Sequence, residues 1–141
     1  MKKIFVFASL FFMTALAHAQ TPVGTWKTID DETKQAKSHV EVFEMNGKLY
    51  AKITKLLLKP ANTVCDKCRD AKKNQPLVGM VFLSDMSLSG GFYQGGTILD
   101  PTKGDYFKCS MWLEAGNPNI LNVKGKHWTG LSRTQIWHRI Q

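Results

Sequence analysis

The feature that most limits the fold of this chain is a series of short segments in which apolar and polar residues alternate. The segment DYFKCSMWLEA, residues 105–115, is the clearest, because Phe107, Cys109, Met111 and Leu113 fall on one face. A period of two is typical of a β-strand with one buried face. Turn-forming residues separate about eight such segments, and no convincing helical period extends beyond about two turns. The sequence therefore predicts an all-β domain.

The first part of the chain predicts a three-strand meander. Its strands are Val23–Ile29, Ser38–Met45 and the segment KLYAKITKLLL, and Asn46-Gly47 connects the last two. An Asn-Gly pair takes the positive φ values of a type I′ turn, which makes it a strong hairpin signal.

A second group of strands is predicted at Leu77–Leu88, Gly91–Asp100 and 105–115, and the segments ILNVKG and TQIWHRI end the chain. Asp100–Gly104 has the composition of a tight turn. About eight consecutive antiparallel strands predict a closed barrel or a sandwich, and closure of a barrel removes exposed strand edges.

Residues 1–19 resemble a secretory signal peptide. Lys2 and Lys3 precede an apolar run from Ile4 to Ala17, and an A-x-A site places cleavage before Gln20. The run is shorter than the roughly twenty residues of a membrane span. We therefore expect an exported protein, periplasmic or secreted, with residues 20–141 as a single β-barrel domain and no stable membrane insertion.

The charge of the chain limits its partners. Lys and Arg number 19 and Asp and Glu number 11, so removal of Lys2 and Lys3 leaves 17 against 11, a net charge of about +6. The sequence has no zinc finger, RNP motif or basic helix, so no nucleic acid is expected. Weak contact with anionic envelope components, such as acidic lipid or glycan, remains open.

Cys65 and Cys68 form a C-x-x-C motif in the longest predicted loop, Lys59–Gln75. A redox site normally places this motif at the N-terminus of a helix, and a zinc site needs two further ligands at suitable spacing. Neither context is present, so a local disulfide is the leading interpretation, as export favours oxidation. Cys109 lies on an apolar strand face and is expected to be a buried free thiol.

No catalytic constellation is predicted. His39, His127 and His138 stand apart from one another in the sequence, and no serine occupies a G-x-S-x-G elbow. We therefore expect neither an enzyme nor a bound metal or cofactor.

The two ends of the domain resemble those of lipocalins and other calycins. Gly24 and Trp26 form a G-x-W motif in the first strand, and Arg139 lies in the last strand. The resemblance implies that Trp26 occupies the closed end of a barrel, where the Arg139 guanidinium packs across the indole face.

Most of the chain resembles a narrower bacterial family, domain of unknown function 2147. The matching residues are Gly24, Trp26, Gly47, Leu49, Tyr50, Ile53, Cys65, Cys68, Pro76, Leu77, Gly79, Gly95, Gly96, Ile98, Leu99, Asp100, Pro101, Gly104, Arg133, Thr134, Gln135, Trp137 and Arg139. The chain departs from the family pattern at Phe107, Lys124 and Ser132. The resemblance implies an exported, calycin-like, eight-stranded up-and-down barrel and no particular activity.

The barrel interior is the candidate binding site. The residues expected to line it are Leu49, Ile53, Phe107, Cys109, Met111 and Trp137. Side chains either fill an eight-stranded barrel or leave room for one small ligand. Three functions follow as hypotheses: binding of a small apolar or amphipathic ligand, an envelope interaction without a cavity, and, third, thiol-redox catalysis.

Overall fold

Eight antiparallel strands form a closed barrel in the computed structural model, which describes residues 20–140. The predicted signal segment, 1–19, lies outside the described residues. The strands are β1 (Gly24–Ile29), β2 (Ala36–Met45), β3 (Lys48–Leu56), β4 (Val81–Ser89), β5 (Phe92–Asp100), β6 (Asp105–Glu114), β7 (Asn117–Lys126) and β8 (Ser132–Arg139). Each strand pairs with its neighbours in the sequence, and β8 returns to β1. Between residues 20 and 140, no helix is long and apolar enough to cross a membrane.

The predicted turns take the backbone conformations that their sequences favour. Asn46 and Gly47 have φ values of 53° and 77°, the positive values that a type I′ hairpin turn requires. In the turn after β5, the Asp100 carbonyl accepts a hydrogen bond from the Gly104 amide at 2.8 Å. Both turn predictions are confirmed.

The two ends of the barrel differ in the length of their connections. Two-residue turns at 46–47, 90–91 and 115–116 lie at one end, here called the closed end. The connections 30–35, 57–80, 101–104 and 127–131 surround the other end, here called the mouth. Binding and catalytic residues often lie on long connections that a rigid scaffold positions, so a functional site is expected at the mouth.

One predicted strand begins later than the sequence pattern indicates. The predicted strand Leu77–Leu88 corresponds to β4, which starts at Val81. Leu77 and Met80 are nevertheless buried. Both belong to the 57–80 connection and pack against the barrel core, and an apolar run alone does not distinguish a strand from a buried loop.

Candidate functional site

The closed end is plugged by Trp26 and Arg139, which the structure brings together. The guanidinium carbon of Arg139 lies 4.3 Å from the centre of the fully buried Trp26 ring. The Arg139 nitrogens also donate hydrogen bonds to the carbonyls of Pro118, Val23 and Thr21 at 3.2, 3.0 and 2.8 Å. Because one planar cation ties residues 21–23, β7 and β8 together, this end is sealed.

A cavity of about 540 Å³ occupies the half of the barrel next to the mouth. The half next to the closed end is filled by buried apolar side chains: Val40, Val42, Leu49, Ala51, Leu83, Met86, Cys109, Met111 and Leu121. The volume lies within the range of about 300–1,000 Å³ that is typical of small-molecule sites. The barrel is therefore only partly filled by its own side chains.

One side of the cavity wall is apolar. Ile53 on β3, Phe82 on β4, Ile98 on β5 and Phe107 on β6 line it there. Gly125 on the neighbouring strand β7 lies beside Phe107, and a Cβ atom at that position would lie 3.3 Å from the Cβ of Phe107. The absence of a side chain at Gly125 therefore widens the cavity.

The opposite side of the wall is polar and is formed by β1, β2 and β8. The hydroxyl oxygens of the buried Thr28 and Ser38 lie 2.7 Å apart, within hydrogen-bonding distance. Gln135 accepts a hydrogen bond from Trp137 Nε1 at 3.4 Å. Buried polar groups are stable only when hydrogen-bonded, and these groups use one another as partners. The same groups can hydrogen-bond a ligand.

Side chains close the seam between β1 and β8 near the mouth. In the described part of the chain, the pairing of these two strands is short and consists of Trp26–Arg139 and Lys27–His138. Further toward the mouth, Asp31 accepts a hydrogen bond from Gln135 Nε2 at 3.1 Å and forms an ion pair with Arg133 at 3.2 Å. Asp31 thereby fixes the orientation of Gln135, which lines the cavity.

The mouth carries charges of both signs, and its carboxylates have local partners. Asp100 accepts hydrogen bonds from the Thr102 amide and hydroxyl, at 3.0 and 2.6 Å. Asp105 pairs with Arg69 at 2.9 Å. The Thr33 amide is the largest cause that lowers the pKa of Asp30. These hydrogen bonds and this ion pair hold the connections at the mouth in place.

The disulfide between Cys65 and Cys68 is confirmed, and it lies in the 57–80 connection. The two residues are only 1% and 2% exposed. The Cys65 amide donates to the Gln75 carbonyl at 2.8 Å, and the Asn74 amide donates to the Cys65 carbonyl at 2.7 Å. The disulfide therefore holds a compact loop, whose neighbours Leu58, Lys59 and Leu77 line the mouth of the cavity.

A polar cluster fastens this loop to β6. Tyr106 donates a hydrogen bond to Asp70 at 2.5 Å, and Lys72 Nζ lies 3.2 Å from the Tyr106 hydroxyl. The hydrogen bond from Tyr106 is the main cause that lowers the pKa of Asp70. Burial, followed by the bond to Asp70, raises the pKa of Tyr106. The loop is thus tied to the barrel as one side of the mouth.

Cys109 is the free cysteine of the described chain, and it is buried. Burial raises the pKa of its thiol to about 12. A thiol of this kind stays protonated at neutral pH and is a poor nucleophile. Among residues 20–140, no three His, Cys, Asp or Glu side chains come together in a way that could hold a metal ion.

The predicted lining residues divide into two groups. Ile53, Phe107 and Trp137 lie on the cavity wall. Leu49, Cys109 and Met111 face inward as well, but they belong to the packed half and do not line the cavity. Ligand contact for any of the six stays a prediction.

Sequence reasoning missed several lining residues. Thr28 lies two residues from Trp26 on the same strand face, and Ser38 occupies the corresponding face of β2, so alternation alone would have placed both inside. Phe82 had no such signal, because the register of β4 against β3 is irregular.

Comparisons with known proteins agree with this architecture. A family model described as "Uncharacterized protein conserved in bacteria (DUF2147)" matches residues 24–139. A search of curated proteins finds no match. Among solved structures, the chain is similar to protein HP1028 from the human pathogen Helicobacter pylori, which belongs to the lipocalin family. The two share 22% sequence identity with a TM-score of 0.74, over 87% of this chain and 85% of that one. At this identity the likeness shows the fold, which is a lipocalin-like barrel.

Proposed function

The chain belongs to the bacterial DUF2147 family, and we propose that it binds a small amphipathic ligand inside its barrel. The observation that carries this proposal is the cavity of about 540 Å³ with one apolar and one polar wall. A ligand that turns its apolar face toward Ile53 and Phe107 removes apolar surface from water, which is the main source of affinity in such sites.

The polar wall supports an amphipathic ligand over a purely apolar one. Thr28, Ser38 and Gln135 place hydroxyl and amide groups on one side of the cavity. These groups already have hydrogen-bond partners, but each hydroxyl and the Gln135 amide has capacity for a further bond. A purely apolar ligand would cover that capacity and leave it unused, which is unfavourable. A ligand with a polar edge can exchange hydrogen bonds with them.

The other two hypotheses have less support. A protein that only binds partners at its surface does not need a cavity, so the interaction hypothesis does not explain the unfilled half of the barrel. For thiol-redox catalysis, Cys65 and Cys68 are almost fully buried, and among residues 20–140 no helix stands behind their loop to activate a thiolate.

We propose the bacterial periplasm or exterior as the place of action, which rests on the signal-like residues 1–19. A disulfide such as Cys65–Cys68 persists in an oxidising compartment, and this agrees with export.

The experiment that tests ligand binding uses the chain from Gln20 onward. Native mass spectrometry of the purified protein should show a small molecule that co-purifies, and an environment-sensitive fluorescent amphiphile should compete with it. Ile53→Phe extends a ring into the cavity. It should weaken probe binding at least about tenfold, because the ring occupies volume that the probe needs and overpacking is unfavourable. Ile136→Phe makes the same exchange on an exposed position of β8 and should leave binding unchanged.

A second variant tests the polar wall. Gln135→Leu keeps the approximate size of the side chain and removes its amide. It should therefore weaken binding of an amphipathic probe, while a purely apolar probe should bind at least as tightly as before. Equal probe binding by the native protein, Ile53→Phe and Ile136→Phe would overturn the assignment of the cavity as the site.

A further inference from the structure

Three lysines form an unpartnered cluster on the outer surface of the barrel, just below the mouth. Lys108 on β6 lies directly opposite Lys126 on β7, and Lys124 lies two residues further along β7 on the same face. Like charges directly opposite each other destabilise a sheet. Within residues 20–140, none of the three belongs to an ion pair.

The connection that follows Lys126 presents apolar side chains to solvent. Trp128 is 88% exposed and Leu131 is 77% exposed, the highest values among the large apolar residues described. Leu131 also lines the mouth of the cavity. Two strongly exposed large apolar side chains in one short connection form a patch of the kind that marks interaction sites.

The conformation of this connection is fixed by hydrogen bonds. The His127 amide donates to the Leu131 carbonyl at 2.7 Å, and the Gly130 amide donates to the His127 carbonyl at 2.9 Å. The His127 ring packs against Phe107 of the cavity wall, with ring centres 5.4 Å apart. Since His127 is anchored inward, Trp128 is held outward at the rim.

We propose that this surface docks the mouth of the barrel onto an anionic lipid membrane. The surface, here called the docking face, consists of Lys108, Lys124, Lys126, Trp128 and Leu131. Trp favours the boundary between headgroups and acyl chains, and lysines close to an anionic leaflet are attracted to its phosphates. The excess of basic over acidic residues in the chain adds a general attraction of the same sign.

A lipid surface fits the docking face better than a soluble polyanion does. The lysines alone would serve a nucleic acid or an acidic glycan, but neither offers an apolar phase to the rim side chains Trp128 and Leu131. A membrane satisfies both halves of the face at once. Because Leu131 also lines the cavity, docking brings the cavity mouth close to the membrane surface.

The test measures binding of the chain from Gln20 onward to vesicles, with no cavity ligand added. Vesicles of phosphatidylglycerol should bind the protein, vesicles of phosphatidylcholine should bind it far more weakly, and added salt should release it. Replacement of Lys108, Lys124 and Lys126 by Gln should weaken binding by about fivefold for each lysine. Replacement of Lys27, Lys48 and Lys55 by Gln is the matched control, since it removes the same charge elsewhere.

The apolar tip needs its own variant. Trp128→Ala should weaken vesicle binding at least about tenfold and remove the blue shift of tryptophan emission on binding. If Trp128→Ala binds as tightly as the native protein, or if the control lysines matter as much as the cluster, the docking face is wrong. If a soluble acidic glycan instead displaces the protein from vesicles while Trp128→Ala has no effect, that result would identify a polyanion site and overturn the membrane proposal. Each result is independent of whether the cavity binds a ligand.

Discussion

The substitution Gly104→Ala tests how closely the disulfide loop is packed against the barrel. Gly104 ends the β5–β6 turn, with a φ of 71°. A Cβ atom at this position would lie 2.6 Å from the carbonyl carbon of Lys67 and closer still to its oxygen. Lys67 stands between the two cysteines of the loop. The added methyl group must therefore displace backbone and not the end of a flexible side chain.

The expected loss of stability has two parts. Alanine in the left-handed region costs about 1–2 kcal/mol relative to glycine. Displacement of a closely packed backbone costs a further ~1–3 kcal/mol, as overpacking does elsewhere. We expect Gly104→Ala to reduce the free energy of unfolding by about 3 kcal/mol, a large share of the roughly 5–15 kcal/mol typical of a domain.

Gly116→Ala is the matched control for this experiment. Gly116 also lies in a hairpin turn, with a φ of 76°, and an added Cβ there has no atom within 4 Å. It should lose only the conformational part, about 1–2 kcal/mol. Urea unfolding of both variants gives the two values. The rate of disulfide reduction should rise in Gly104→Ala and not in Gly116→Ala, because the added methyl group displaces the loop that buries Cys65 and Cys68. Equal losses of stability in the two variants would refute the close packing.

Three further predictions concern the plug, the loop and the polar wall. Arg139→Ala should destabilise by about 2–4 kcal/mol in urea unfolding without changing probe affinity, whereas a matching loss of affinity would contradict the separation of plug and cavity. Asp70 has a lowered pKa, so its contribution to stability is present above about pH 4 and lost at lower pH. Tyr106→Phe should therefore reduce the loss of stability on acidification, and an unchanged pH profile would argue against the bond. Thr28→Val combined with Ser38→Ala removes both partners of one buried pair, so stability should change by less than about 1 kcal/mol. Probe affinity should nevertheless fall, and unchanged affinity would argue against a ligand contact with these hydroxyls.

The strands and turns could be predicted from the sequence because each depends on local chemistry. Alternation in 105–115 placed Cys109 and Met111 inside β6, where both are buried. The turns at Asn46-Gly47 and Asp100–Gly104 followed from residues that favour positive φ or cap their own backbone. The Cys65–Cys68 disulfide followed from short spacing without a helix or further ligands.

The cavity could not be predicted, because it depends on which side chains meet across the barrel. Leu49 and Met111 share their strand faces with Ile53 and Phe107, and alternation treats all four alike. Their depth separates them: the first two meet other large side chains near the plug, while the second two face small or polar residues. That difference is set by register, and the register shifts at several bulges, such as the one in β3–β4 pairing.

The half-empty interior is itself evidence about function. Protein interiors normally pack as densely as organic crystals, and an eight-stranded barrel is narrow enough to be filled by its own side chains. Here the closed half follows that rule, but the next layer carries Thr28, Ser38, Gln135 and Gly125 in place of larger apolar residues. Such a layer forgoes apolar burial and stability. Departures from good packing are expected at functional sites. The Trp26–Arg139 plug at one end, and the disulfide and loop contacts at the other, offset part of the stability that the unfilled layer loses. A cavity maintained in this way supports the proposal that the barrel binds a small molecule.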